Sequence, residues 1–367
     1  MGNLITYLDW RDGRALEDIQ CRDTDLALMA RMAYLPMSGI VPGTFDESAA
    51  LPDAMEKVCS RLSPGSLDLA LAQKMEKSAC FAACRLTGWR EIYDPDREEQ
   101  FAAFTLLLPG GGAMAAFRGS DNTLVAWKED FNMTFSNMVP AQRDALAYTL
   151  YLAARTKGPL SLCGHSKGGN LAMFAAVFCP EGVQERIENV CNFDGPGFSR
   201  AVTMTEPYQR MVGKLHTYLP QSSIVGMLLE HEEDFTVVES QGMGIRQHNL
   251  YRWQIEEGHF KALADRTNSS VFMDDTMKNW LYSLAPRQRQ LTIDAVYQAL
   301  AAAQGKTFRD LTDMRSVMAI LRAAGDMNPE ERAALMQAGR MLRRSMKAAF
   351  PALLERLLRA LPGDDGQ

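Results

Sequence analysis

The sequence has no excess of basic residues. Its 367 residues include 39 Lys and Arg against 45 Asp and Glu, which gives a net charge of −6, and the charges form no long runs of one sign. A nucleic-acid-binding face needs clustered basic side chains that neutralise phosphates. We therefore expect no nucleic-acid partner.

Cysteine is scarce, and the seven cysteines are odd in number. Most have apolar neighbours, as buried free thiols do, which favours a reducing compartment. Cys163 and Cys191 fall in strand patterns and are expected in the core. Cys80 and Cys84 lack the second spaced pair that a zinc site needs. We expect no metal and no other cofactor.

Long apolar runs are also missing. None reaches the roughly 18 residues that a transmembrane helix needs. The first ten residues do not show the basic segment followed by an apolar segment that marks a secretory signal. A cytoplasmic location is the expectation. Apolar residues make up 47% of the chain, so a chain of this length can bury a large core.

Apolar residues recur at helical spacing over Thr24–Leu35 and Ser66–Leu86, which predicts a helical N-terminal section. Two apolar runs, Phe101–Leu107 and Ala113–Phe117, flank a Pro-Gly-Gly-Gly turn and predict a hairpin. The chain then alternates between helix and strand patterns as far as Glu239, as in a mostly parallel sheet with right-handed crossovers. The middle of the chain is therefore predicted to be α/β.

After about Ser283 only helical patterns remain, over Leu291–Gln304, Phe308–Ala324 and Pro329–Leu361. We predict an α/β domain over residues 1–284 and a helical C-terminal appendage over residues 285–367. Residues 340–361 combine basic side chains with apolar ones. They predict either peripheral membrane contact through residues 329–361 or a helix docked on the body of the protein.

The segment Gly164-His165-Ser166-Lys167-Gly168 fits the G-x-S-x-G pattern of a nucleophile elbow. An apolar strand pattern precedes it and an apolar-faced helix pattern follows, which is the context this motif requires. A phosphate site at the helix N-terminus is the alternative. A P-loop, however, ends in Gly-Lys-Ser/Thr, and the order here is Ser-Lys-Gly-Gly. Ser166 is the predicted nucleophile.

A serine nucleophile needs a base and an acid that orients the base. Of the five histidines, His248 follows the last strand pattern and suits the chain order Ser, Asp, His. His231 remains the alternative base. Asp194 closes the strand pattern after the predicted nucleophile helix, where α/β sites gather. A turn role for Asp194 before Gly195 is the alternative.

Three ordered segments resemble blocks of the fungal-type (class 3) lipase family. Ala116–Asp121 resembles the F-R-G-T/S block, Trp127–Asp130 the W-x-x-D block, and Gly164–Gly169 the G-H-S-L-G-G block. With Asp194–Phe198, Pro220–Gly226 and Gln247-His248 added, the chain from about Asn3 to Leu284 resembles a bacterial branch of these lipase-like hydrolases. The resemblance implies the α/β-hydrolase fold and acyl-transfer chemistry on a serine.

The resemblance also implies roles for single residues. Ser120 matches the oxyanion position of the family, and His165 matches a structural elbow histidine. Asp121, Trp127 and Asp130 match residues that brace the loop after the oxyanion position. The backbone N–H of Lys167, directly after the nucleophile, is the second expected oxyanion donor.

The chain departs from the lipase pattern at the acid. Fungal-type lipases carry it in an Asp-x-Val-Pro-like segment one strand after Asp194, and the corresponding segment here, Ser222–Gly226, has no acid. Either Asp194 takes the role or the site works as a dyad. We predict a serine carboxylic ester hydrolase that acts on a small acyl ester or lipid. A catalytically silent binding protein on a hydrolase scaffold is the alternative.

Overall fold

The computed structural model describes residues 2–12, 22–121, 123–223, 225–226, 229–242, 244–267, 271–272, 276, 279–280, 283–301, 322, 326–334, 336–338, 340–341 and 344. The chain divides into two compact units. The first comprises residues 1–120 and 140–265, and the second comprises residues 121–139 and 266–367. A domain boundary at residue 284 stays a prediction.

A nine-stranded sheet in the order β1-β2-β3-β4-β5-β6-β7-β8-β11 organises the first unit. Its strands are β1 Ala49–Ala50, β2 Arg85–Asp94, β3 Glu99–Leu107, β4 Ala113–Phe117, β5 Leu160–His165, β6 Ile187–Phe193, β7 Leu215–Pro220, β8 Phe235–Val238 and β11 Ala262–Leu263. Strands β4 to β8 pair in parallel, and the remaining pairs are antiparallel. β9 Ile255–Glu256 and β10 His259–Phe260 form a separate hairpin.

The helices of the first unit are α1 Leu4–Asp12, α2 Asp23–Met32, α3 Leu51–Cys59, α4 Leu67–Lys77, α6 Pro140–Arg155, α7 Lys167–Phe178, α8 Glu181–Gln184, α9 Arg200–Thr203 and α10 Glu206–Met211. Short 3-10 turns cover Val212–Lys214, Gly244–His248 and Leu250–Arg252. The second unit contains α5 Leu124–Asn132 and α11 Pro286–Ala301.

Helices cover both faces of the central sheet because its strands are apolar on both sides. In β4, Met114 and Ala116 join the core that includes the N-terminal helices. Ala113, Ala115 and Phe117 point to the opposite face and join the core that includes α6 and α7. This alternation follows from the two-residue period of a strand. The predicted α/β class is confirmed, with helices on both faces of a mixed sheet in which β4 to β8 are parallel.

The predicted hairpin is confirmed, since β3 and β4 pair antiparallel across the glycine turn. The helix predicted over Ser66–Leu86 is wrong beyond Lys77, because the chain leaves the helix at Ser78 and enters β2 at Arg85. Strand β2 has no counterpart in the sequence prediction. Its register with β3 shifts between Thr87 and Arg90, and such a bulge breaks the alternation by which strands are recognised.

In the second unit α5 and α11 pack together. Buried Lys128 of α5 donates to Asn132 Oδ1 over 2.7 Å and pairs with Asp294 of α11 over 2.6 Å. The helix predicted over Phe308–Ala324 and the basic stretch 340–361 lie outside the described residues, apart from residues 322, 340, 341 and 344. Within the described part, no helix is both long and apolar enough to cross a membrane.

Candidate active site

Ser166 lies in the sharp turn between β5 and α7. Its backbone adopts φ 58° and ψ −135°, a combination that side-chain-bearing residues rarely take. Two hydrogen bonds hold the turn, from Ser166 N to Phe193 O over 2.9 Å and from Gly169 N to Ser166 O over 2.9 Å. Strain held in this way at a strand-to-helix junction is the geometry of a nucleophile elbow.

The glycines of the motif are required by close backbone approach. A Cβ atom on Gly164 would lie 2.0 Å from Gly168 O, and one on Gly168 would lie 2.1 Å from Phe117 O. No side chain fits at either place unless the backbone moves. The G-x-S-x-G pattern therefore reflects the packing of β4, β5 and α7 around Ser166.

Asp194 and His248, far apart in sequence, are joined by a hydrogen bond. His248 Nδ1 lies 2.6 Å from Asp194 Oδ2, and the Asp194 side chain is 1% exposed against 20% for His248. An ionised carboxylate only accepts, so Nδ1 carries the proton and Nε2 is left as an acceptor. This is the tautomer that a general base for a serine needs.

The other oxygen of Asp194 is also occupied. Ser223 Oγ donates to Asp194 Oδ1 over 2.5 Å, and Gly226 N donates to the same oxygen over 3.2 Å. Both donors come from the segment in which the lipase pattern places its acid. That segment therefore contributes hydrogen bonds to Asp194, which fix the orientation of its carboxylate.

His165 holds the backbone of His248. Its Nε2 lies 2.7 Å from the carbonyl oxygen of His248, to which it donates, and its Nδ1 accepts from Tyr34 Oη at 2.9 Å. Burial, together with the nearby His248 ring, holds the pKa of His165 well below its usual value. A neutral ring with both nitrogens engaged suits a positioning residue.

His231, the alternative base, is engaged elsewhere. Its Nδ1 lies 2.7 Å from Glu233 Oε1, and its Nε2 lies 2.5 Å from Gly226 O. Glu233 also accepts from Thr217 Oγ1 at 2.6 Å. Although burial raises it, the pKa of Glu233 is lowered overall by the hydrogen bond and charge of His231. This network anchors the loop whose Gly226 N–H reaches Asp194.

Ser120, Ser166 and His248 line one cavity of about 420 Å³. The Ser166 hydroxyl forms no hydrogen bond with the described residues, and catalytic hydrogen bonds commonly tighten only when substrate is bound. A larger hollow of about 1050 Å³, lined by Trp10 and by residues around 255–262, contains none of the predicted site residues.

Lys167 opens α7 directly after Ser166, which places its backbone N–H at the positive end of the helix. Its side chain is buried and donates from Nζ to Gln100 O over 2.7 Å. The amine is thereby engaged with β3. Of the two predicted oxyanion residues, Ser120 is among the residues that line the cavity and Lys167 is not.

Gly119 is needed to keep the loop before Ser120 close to the elbow. A Cβ atom there would lie 2.4 Å from His165 O, 2.4 Å from Tyr34 Oη and 2.8 Å from Ser166 Cβ.

The thiols of Cys163 and Cys191, on the strands beside the site, are fully buried and do not reach the cavity. Burial raises the pKa of the Cys163 thiol.

Several cavity residues were missed by the sequence analysis. Arg31 lies in the last turn of α2, and Tyr34 lies just after that helix. Asp68 lies at the start of α4, and Tyr251 in the turn after His248. They lie on segments separated by many residues, and no spacing rule connects them.

Asp121 is one of the residues predicted to brace the loop after Ser120. Its side chain accepts a hydrogen bond from Thr123 N over 2.9 Å, within the second unit.

Comparison with known proteins gives a family match and a distant structural likeness. A crystal structure of M37 lipase is 14% identical over 57% of this chain and 70% of that chain, with a TM-score of 0.35. The search of curated proteins gives no match. The model of the Mbeg1-like family matches residues 75–298. The resemblance to a bacterial branch of the lipase-like hydrolases stays a prediction. The chain belongs to the Mbeg1-like family, a lipase-like family.

Proposed function

We propose that the protein is a serine hydrolase that cleaves carboxylic esters through an acyl-enzyme on Ser166. The observation that carries the proposal is the hydrogen bond of His248 Nδ1 to buried Asp194, with His248 and Ser166 lining the same cavity. Membership in a lipase-like family supports the same reaction class.

Each group has a role in the proposed reaction. Ser166 Oγ attacks the ester carbonyl while His248 Nε2 takes the hydroxyl proton, and Asp194 stabilises the resulting imidazolium. The Lys167 N–H and Ser120 stabilise the oxyanion of the tetrahedral intermediate. His248 then protonates the departing alcohol. Water, activated by the same histidine, releases the acid and restores Ser166.

The cavity volume bears on the substrate. About 420 Å³ lies near the lower end of the range for small-molecule sites, which runs from roughly 300 to 1,000 Å³. A cavity of this size holds a small ester or one short lipid-like acyl chain. We therefore propose a small acyl ester as substrate rather than a triglyceride with three long chains.

Hydrolysis of p-nitrophenyl butyrate tests the proposal with Ser166→Ala against Ser199→Ala, an exposed serine outside the site. We expect Ser166→Ala to lose at least about 10³-fold in kcat and Ser199→Ala to retain the wild-type rate. Equal rates for all three proteins would exclude Ser166 as the nucleophile. A folded wild type that turns over no ester would favour the binding-protein alternative.

A further inference from the structure

One wall of the Ser166 cavity is charged. Arg31 and Asp68 both line the cavity, and Arg31 Nη2 lies 2.5 Å from Asp68 Oδ1, with side chains 19% and 28% exposed. Arg31 Nε also donates to Oδ1, over 3.1 Å, and Tyr251 Oη donates to it over 2.7 Å. Three donor atoms from two segments thus converge on one carboxylate oxygen.

Within the described residues, the side chains of Arg31 and Asp68 do not use all of their hydrogen-bonding atoms on each other. Asp68 Oδ2 accepts no hydrogen bond from the described residues. The Arg31 guanidinium carries five N–H donors, more than Asp68 Oδ1 accepts. The rings of Tyr34 and Tyr251 lie 4.8 Å and 5.0 Å from the guanidinium carbon and fix the plane of the group. The cavity wall therefore presents a hydrogen-bond donor and a hydrogen-bond acceptor side by side, each fixed in orientation.

The charge of the wall indicates what it can bind. Arg31 and Asp68 together are neutral, so an anionic substrate attracted by Arg31 meets the carboxylate of Asp68, and a cationic substrate meets the guanidinium. A neutral polyol suffers neither repulsion, because one hydroxyl can donate to Asp68 while a neighbouring hydroxyl accepts from Arg31.

Building on the proposed function, we infer that the substrate is a neutral ester with neighbouring hydroxyl groups, which Arg31 and Asp68 bind beside Ser166. Leu67, which is 50% exposed, and Leu250 line the same cavity and contact the carbon skeleton. Arg31 and Asp68 thus determine specificity, whereas Ser166 and His248 perform the reaction.

The test compares three butyrate esters, which are propyl butyrate, glyceryl monobutyrate and monobutyryl glycerol phosphate. Glyceryl monobutyrate has the carbon skeleton of propyl butyrate with two added hydroxyls, and the third ester adds an anionic phosphate. A fourth ester, propyl 3,4-dihydroxybutanoate, carries the hydroxyls on the acyl side. We expect kcat/KM for the better of the two hydroxylated esters to exceed that for propyl butyrate by about tenfold, as for hydrogen bonds to charged groups.

Arg31→Gln and Asp68→Asn should each reduce that ratio to near one, whereas Lys57→Gln, an exposed control with the same charge change as Arg31→Gln, should preserve it. The ratio is the decisive readout, because a merely structural defect lowers the turnover of all esters alike. The wild-type ratio is informative even if a variant fails to fold.

The outcomes separate the two proposals. Turnover of propyl butyrate equal to that of both hydroxylated esters would overturn this inference and leave the hydrolase function intact. Preference for the phosphate ester would replace the polyol site with an anion site. A preference that persists in folded Arg31→Gln and Asp68→Asn would overturn the assignment to these residues. Failure to cleave any of the esters would overturn both proposals.

Discussion

Ser223 Oγ donates to Asp194 Oδ1 over 2.5 Å. The segment after β7, in which the lipase pattern places its acid, therefore orients the carboxylate of Asp194, which directly follows the neighbouring strand β6. The dyad alternative needs no carboxylate at His248. The structure instead provides one that is buried, engaged on both oxygens and 2.6 Å from the ring nitrogen.

Asp194→Asn should lower kcat for ester hydrolysis by about 10⁴-fold, because the amide no longer enforces the tautomer of His248. Ser223→Ala removes one of the supporting donors and should cost about tenfold, while Ser223→Thr keeps a hydroxyl and should cost less. Steady-state kinetics on p-nitrophenyl butyrate measures all three. An Asp194→Asn protein with near-wild-type kcat would establish a dyad.

His248→Ala should lower kcat by at least about 10⁴-fold, because it removes the proposed proton acceptor of Ser166. His259→Ala is the matched control, since His259 is exposed and lies outside the Ser166 cavity. Kinetics at neutral pH, with circular dichroism to verify folding, compares the two. If both variants retained activity, the base would be another residue.

Gly119→Ala should reduce activity strongly, because the added methyl group would clash with His165 O and Ser166 Cβ and displace Ser166. Gly182→Ala introduces the same methyl group where no atom lies within 4 Å, and it should behave as wild type. Kinetics and thermal melts of the pair measure the effect. Wild-type kcat in Gly119→Ala would mean that the loop yields without disturbing Ser166.

The low pKa of His165 predicts an acid-sensitive fold. The native state holds the ring neutral, whereas an unfolded chain binds a proton near pH 6.5. The stability contribution of the neutral ring is therefore present above about pH 6.5 and is lost as the pH falls toward the native pKa, by up to about 1.4 kcal/mol per pH unit.

Urea unfolding at pH 7.5, 6.5 and 5.5 measures this effect on wild type and His165→Gln. The variant should be less stable at pH 7.5, and its free energy of unfolding should fall less than that of wild type toward pH 5.5. A His259→Gln control should follow the wild-type slope. Parallel slopes for wild type and His165→Gln would show that His165 is not held neutral.

Local signals in the sequence predicted the centre of the fold. The β3–β4 hairpin follows from two apolar runs around a glycine turn, and the elbow follows from small residues between a strand and a helix. These elements depend on short-range sterics, which a sequence records directly. Strand β2 was missed because its bulge disturbs the two-residue period.

Contacts between distant segments could not be predicted in the same way. Tyr34 reaches the elbow histidine across 131 positions, and Tyr251 reaches Asp68 across 183. Side chains brought together by tertiary packing leave no periodic trace along the chain. Asp194 was predicted only because it follows a strand pattern at the carboxyl end of the predicted parallel sheet, where α/β sites gather.

Covalent labelling is the sharpest test of the proposal that Ser166 is an activated nucleophile. The folded protein is incubated with a fluorophosphonate probe, and the modified residue is located by mass spectrometry of its peptides. We expect one adduct per chain, on Ser166, and none in Ser166→Ala or His248→Ala. An unlabelled wild type, or an adduct that persists in Ser166→Ala, would contradict the proposal.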